Sequence, residues 1–248
     1  MSLCKNFRLT AATLVAGALT LAWTPSAMAL QPYTATYELS RSNMVVGEGK
    51  YELSIDDDGK VTFHARAETA GLVSMFRSDT VRETSRLQMK EDGTLIALGY
   101  EYKHQRGRNT EEEKRIDFDW DNNLAISVID GKEHRLEVAP GTVDRMALQL
   151  RMMIDATGSA DAVMKYETVN DDEVREYEFT REGRYRVQTG AGEFSTVRLE
   201  RKHNGRTTIF WSAPELDYLP VRVEQHRNGK VTMRMDMTSV SGPLTESD

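Results

Sequence analysis

The chain has 248 residues, 39% of them hydrophobic and 29% charged, and a formal net charge of −7 at pH 7. An acidic balance of this kind makes a poor nucleic-acid binder, and nothing in the total charge draws the molecule to an anionic lipid surface. The single cysteine, Cys4, excludes an internal disulfide and leaves no thiolate chemistry in the rest of the chain.

The first 29 residues read as a secretory signal peptide. Lys5 and Arg8 give a basic start, Leu14–Trp23 an apolar run too short to span a bilayer, and Ala27-Met28-Ala29 a small-x-small cleavage pattern. Cleavage after Ala29 leaves Leu30–Asp248, without Cys4 and with the formal charge shifted from −7 to −9. The expected compartment is a bacterial periplasm. No second long apolar run follows, so no transmembrane segment is expected in the mature chain. No linker or low-complexity tract divides it, so a single β-rich domain is expected over residues 30–248.

Alternation dominates from there on. Tyr33, Ala35, Tyr37 and Leu39 share one face; so do Tyr51, Leu53 and Ile55, and Val61, Phe63 and Ala65. The final run puts Val231, Met233, Met235 and Met237 on one side, Thr232, Arg234 and Asp236 on the other. A period of two is the half-buried strand signature. Turn pairs punctuate these runs: Asp58-Gly59, Asp92-Gly93, Asp130-Gly131, Asn204-Gly205 and Asn228-Gly229. Matching apolar faces across Asp58-Gly59, Asn204-Gly205 and Asn228-Gly229 predicts three-residue loops closed by a glycine bulge. This register pairs Leu53 with Phe63 and Ile55 with Val61. It pairs Leu199 with Ile209 and Val197 with Trp211. It pairs Leu219 with Met237, Val221 with Met235 and Val223 with Met233.

One segment changes period. Val143, Met146, Ala147, Leu150, Met153 and Ile154 fall at helical spacing, predicting one short helix near 143–156 with Gly158 closing its end. One helix cannot cover so many strands, so the sheet must cover itself. The expected fold is mainly β: a strongly curved antiparallel sheet, half-barrel or near-barrel, with one short α-helix.

Several stretches resemble the exported bacterial family called domain of unknown function 3108. They are the opening YTATYELSRSNMVVGEGKYEL with its glycine-containing second strand, RIDFDWDNNLAI, the Asp-led VDRMALQLRMMI, and FWSAPELDYLPVRVEQHRNGK. Their order spans nearly all of the mature chain. The resemblance implies an exported, mostly β protein and brings no activity or catalytic residue.

Candidate chemistry is sparse. Asp117, Asp119 and Asp121 begin like a calcium loop, but Asn122 stands where its glycine belongs and Val128 where its bidentate Glu belongs. The five histidines form no zinc pair, and no G-x-S-x-G elbow, P-loop or dinucleotide fingerprint occurs. Gly190-Ala191-Gly192 reads as a hairpin turn. No metal, cofactor or catalytic residue is therefore expected. Ser212–Tyr218 reads as a packed corner anchored by Trp211, or else as the lip of a cavity offering Trp211 and Tyr218 as stacking faces and Glu215 or Asp217 as a polar hook. The methionine face offers an apolar wall of Met233 and Met235, with Met146, Leu150 and Met153 opposite on the helix. These seven residues, Trp211, Tyr218, Met233, Met235, Met146, Leu150 and Met153, are the candidate ligand contacts. The expected function is non-enzymatic binding of an apolar or amphipathic envelope component, a lipid or lipidated precursor. The alternatives are an envelope protein-interaction or scaffold module, with an envelope protein as partner, and a glycan or ester hydrolase of the envelope, for which no signature is present.

Overall fold

The computed structural model describes residues 30–157 and 162–245. The expected signal peptide with its Ala29 cleavage site, Cys4 and the helix stop at Gly158 lie outside the described residues. The described strands are β1 (Tyr33–Arg41), β2 (Met44–Ile55), β3 (Lys60–Thr69), β4 (Asp79–Met89), β5 (Leu95–Arg106), β6 (Asn109–Asp119), β7 (Leu124–Ile129) and β8 (Lys132–Glu137). They continue with β9 (Val143–Asp144), β10 (Val163–Asn170), β11 (Glu173–Thr189), β12 (Gly192–His203), β13 (Arg206–Ala213), β14 (Leu219–Arg227) and β15 (Lys230–Ser241). One α-helix, α1 (Ala147–Asp155), lies between β9 and β10.

All fifteen strands belong to one sheet. Two meanders meet where β1 pairs with β15, so the free edges are β8 and β9, from the middle of the chain. Only residues 138–142 separate those edges. Even fully stretched, so short a link reaches roughly 20 Å, so the two edges must come together and the sheet must curl. It does, with β9 against β5 and β8 near β11. The expected mostly β, strongly curved, barrel-like architecture is found, without closure of the backbone ladder.

Alternation decides what fills the curl. Tyr33, Ala35 and Tyr37 of β1, Leu53 of β2, Phe63 of β3, Leu87 of β4, Leu199 of β12 and Met237 of β15 are buried in one cluster. Each large aliphatic or aromatic group so buried contributes about 1.5–3 kcal/mol. Tyr37 meets Tyr51 edge-on at 5.3 Å and its hydroxyl donates a hydrogen bond to the Pro220 carbonyl at 2.9 Å. The glycine-bearing β2 comes so close to β3 that a Cβ on Gly47 would stand 2.6 Å from the Glu68 carbonyl oxygen.

The helix corrects the expectation at its start. Val143 and Asp144, expected as its first residues, form β9 instead and pair in parallel with β10. A parallel pair needs a crossover, and α1 is that crossover. The Asp144 carboxylate caps it, accepting the backbone N–H groups of Met146 at 2.9 Å and Ala147 at 3.0 Å. Ala147, Leu148, Leu150, Met152 and Met153 are all buried, so the helix is enclosed on several sides.

The register argument holds in one hairpin and fails in two. Leu53 faces Phe63 and Ile55 faces Val61 across a three-residue turn. At Asn204-Gly205 and Asn228-Gly229 the loops have two residues instead, with all four at positive φ. This is the conformation Asn-Gly favours in tight hairpins, because its twist matches the strands. Leu199 therefore faces Phe210, not Ile209, and Val197 faces Ser212, not Trp211. In the last hairpin a bulge at Gln225/His226 supplies the extra residue. Val223 pairs with Met235 rather than Met233, two residues from the expected partner but on the same face.

Candidate functional site

The corrected registers line up three cross-strand rows over β12, β13, β14, β15 and β1. The first is apolar: Leu199, Phe210, Val223, Met235 and Leu39 face one another in turn. The second, two residues closer to the hairpin tips, runs Arg201, Thr208, Gln225, Met233 and Arg41. The third, at the rim, is basic throughout: His203, Arg206, Arg227 and Lys230. Exposure rises along the methionine face, from 0% at Met237 to 37% at Met233. The curled sheet thus opens in a mouth with an apolar floor and a cationic rim.

A cleft of about 510 Å³ lies at this mouth, lined by Arg41, Arg175, Arg201, Arg206, Arg227 and His203 with polar groups such as Thr208 and Gln225; the apolar row adjoins the cleft without lining it. Two of its bases have acidic partners: Arg175 pairs with Glu173, and His226 sits 3.1 Å from Glu224. Among the described residues Arg41, Arg201, Arg206 and Arg227 have no carboxylate in ion-pair contact. The Arg201 guanidinium stacks over the Tyr177 ring at 4.1 Å. Burial, with the neighbouring Arg175 charge, lowers its pKa below the usual arginine value. Arg206 and Arg227 face each other directly across β13 and β14, an arrangement that costs stability. Forked, unpaired guanidiniums beside an apolar floor suit a phosphate or carboxylate that carries a hydrocarbon tail.

The residues singled out from sequence fall into three places. Met235 belongs to the apolar row; Met233 lies in the second row and lines a neighbouring cleft. Met146, Leu150 and Met153 are core, at 6%, 0% and 2% exposure, away from the arginine cleft. Trp211 sits on the opposite face of the sheet from Phe210, reversing the expected orientation. There it meets Tyr185 edge-on at 5.2 Å and the Arg198 guanidinium at 5.9 Å. Ser212 and Ala213 end β13, Pro214–Leu216 form one 3₁₀ turn, and Asp217 and Tyr218 reverse the chain at positive φ. Leu216 is buried and the Tyr218 N–H bonds the Ala213 carbonyl at 2.9 Å, so this stretch is a packed corner. Pro220 pairs with Ser212 beside a bulge of β14, where Val221 is the extra residue. Asp119 accepts the Asn122 amide protons and Asp117 pairs with Arg115. Among the described residues no three His, Asp or Glu side chains gather as a metal site.

The arginine site had a sequence signal. Lys202–Arg206 reads KHNGR and His226–Lys230 reads HRNGK, two Asn-Gly turns flanked on both sides by bases. Only two-residue loops bring those bases into one row.

A second polar cluster lies at the seam between the sheet edges. The Ser85 hydroxyl of β4 donates to Asp144 of β9 at 2.7 Å. The Tyr100 hydroxyl donates to Glu83 at 2.7 Å, and Arg145, next to Asp144, reaches the same carboxylate at 3.1 Å. Lys114 of β6 and the Ser127 hydroxyl of β7 both hold Asp171 in the β10–β11 turn, the first by its carboxylate and the second by its carbonyl. Burial, against the Ser85 and backbone hydrogen bonds, raises the Asp144 carboxyl to about 6. Burial and then the Glu83 charge push the Tyr100 hydroxyl far above its usual value, so it stays a donor. Side chains here do the joining that backbone hydrogen bonds do along the rest of the sheet.

The model of a protein family of unknown function, DUF3108, matches residues 32–236. No curated protein matches the chain. Among solved structures, a β-barrel-like protein of another domain of unknown function, DUF1849, from Brucella abortus aligns with a TM-score of 0.60 at 14% identity, over 86% of this chain and 98% of that one. That similarity is one of fold. A putative exported protein with a YmcC-like fold from Bacteroides fragilis aligns over 86% of this chain and 97% of its own, at 10% identity and a TM-score of 0.36.

Proposed function

For this chain, which belongs to the DUF3108 family, we propose a non-enzymatic role in the bacterial envelope: after export it binds an anionic amphiphile, a lipid or lipidated precursor, at the arginine-lined mouth. One observation carries the reading. Four arginines with no acidic partner among the described residues line one cleft, next to a cross-strand apolar row, in a chain whose net charge is −7. Their mutual repulsion is a standing cost of the fold that a bound anion would relieve. The occupant's tail is expected along Met233, Met235 and Val223, its head between Arg201, Arg206 and Arg227.

A scaffold role through an open sheet edge has less behind it. The exposed edge β8 reads KEHRLE, with charges along its length, the usual guard against strand addition.

The test is titration of the purified mature protein with dihexanoyl phosphatidylglycerol below its micelle concentration, with dihexanoyl phosphatidylcholine as control. Binding of the anionic lipid only, weakened at least tenfold in Arg201→Gln/Arg227→Gln, is the expected result. Equal binding of both lipids, or of neither, removes the reading.

A further inference from the structure

Next to the arginine cleft the molecule exposes apolar side chains that no described residue covers. Met44 and Val45, at the β1–β2 tip, are 65% and 40% exposed. Met75 and Phe76, at the end of a 3₁₀ turn (Gly71–Met75), are 75% and 89% exposed and stand clear of the protein. The two segments are neighbours: the Ala70 N–H bonds the Val46 carbonyl at 3.1 Å. Val46 and Val73 line a cleft of about 440 Å³ together with Met233, Arg41, Gln225 and Thr232. The last three also line the arginine cleft, so lip and cleft share one rim.

We infer that this lip docks the mouth onto an anionic bilayer surface, with Met44, Val45, Met75 and Phe76 entering the interface and the basic row facing the headgroups. Charge complementarity selects the occupant. The net charge of −7 argues against attraction of the molecule as a whole to anionic lipid. That charge is unevenly placed, however: Arg41, Arg206, Arg227 and Lys230 crowd the end that carries the exposed apolar groups. An anionic bilayer therefore meets its most favourable local charge at this end of an otherwise acidic molecule. Isolated, protruding Met and Phe side chains flanked by bases are the composition of interfacial anchors, which need apolar burial and anionic attraction together. The inference extends the amphiphile reading, on which it rests for what the mouth would then collect.

Co-sedimentation of the mature protein with vesicles of phosphatidylcholine, pure or with 30 mol% phosphatidylglycerol, tests it. The expected result is binding to the anionic vesicles, weakened by added salt. Met75→Ser/Phe76→Ser should reduce it at least tenfold while still binding dihexanoyl phosphatidylglycerol as the parent does. Absence of vesicle binding by the parent overturns the inference, as do equal binding to neutral vesicles and unchanged binding by the variant. Concentration-dependent dimerisation without vesicle binding, abolished by the same substitutions, overturns it too and gives the lip to a second copy of the chain. Failure of the parent to bind the short-chain lipid, with vesicle docking intact, still supports the lip and removes only the headgroup function of the cleft.

Discussion

The seam and the mouth place charge on the same sheet in opposite ways. At the seam every acidic group has a donor: Asp144 has Ser85 and two backbone N–H groups, Glu83 has Tyr100 and Arg145, and Asp171 has Lys114. At the mouth Arg206 faces Arg227 and neither has a carboxylate in contact among the described residues. Paired and buried polar groups hold a fold, whereas exposed unpaired ones of one sign weaken it. On the proposed reading, the difference is that between charge that holds the fold and charge kept for a ligand. It also predicts that substitutions in the two regions change stability with opposite sign.

The largest effect belongs to the seam. Asp144→Ala strands the Met146 and Ala147 N–H groups and the Ser85 hydroxyl and uncaps the helix, for an expected loss of about 2–4 kcal/mol. Urea denaturation measures it. Because Asp144 does not line the cleft, titration of the surviving folded protein with short-chain anionic lipid should give parental affinity. Parental stability would show that the edges are held by packing alone.

Trp211 gives the next largest effect. Half-buried between Tyr185 and Arg198, it anchors the outer face of β13. Trp211→Ala is expected to cost about 2–3 kcal/mol, below the range of fully buried tryptophans. Lipid binding at the cleft should not change, since the side chain points the other way. A selective loss of binding with stability intact would restore Trp211 as a ligand contact.

The same residue shows how far sequence reasoning reaches. Alternation was enough to find the strands, and the ratio of many strands to one helix was enough to require a curled sheet. Hairpin parity was not. Leu199 could be matched with Ile209 or with Phe210, because both are apolar, and the choice turned on whether Asn204-Gly205 makes a two- or three-residue loop. The wrong choice turned Trp211 inward and hid the alignment of His203, Arg206, Arg227 and Lys230. At Asn228-Gly229 the same error did less harm, since a bulge at Gln225/His226 restored the parity. The helix start failed for a different reason. Val143 fits a helical period and a buried strand equally well, and Asp144 caps a helix from two residues away. The seam was beyond sequence reasoning altogether: Ser85 and Asp144 are 59 positions apart and meet only because the open sheet curls round on itself.

The seam also gives a pH dependence. The Asp144 carboxyl titrates near 6 in the fold against 3.8 for a free side chain. Folding therefore favours its protonated form, and its contribution grows as pH falls from 7.5 to 5 and is lost as pH rises through 6. About 1 kcal/mol of added stability is expected over that interval. Asp79 and Glu224, whose carboxyls are held below their usual values, act in the opposite sense only at lower pH. Asp144→Asn keeps an acceptor for the helix N–H groups and a donor for Ser85, so it should flatten the profile without the collapse expected of alanine. A slope unchanged in that variant assigns the titration elsewhere.

The smallest change in stability is the one most informative about function. Arg206→Gln/Arg227→Gln removes two like charges placed directly opposite, and the protein is expected to become more stable by about 0.2–1 kcal/mol. The same variant should bind dihexanoyl phosphatidylglycerol at least tenfold more weakly. Gain of stability with loss of binding is the mark of a site whose strain is kept for its ligand. Loss of both would mean that the arginines support the hairpin tips, and gain of stability with binding unchanged would leave Arg41 and Arg201 to hold the anion alone. Chemical denaturation and lipid titration on one preparation separate the three outcomes, since the guanidinium charge enters the two measurements with opposite sign.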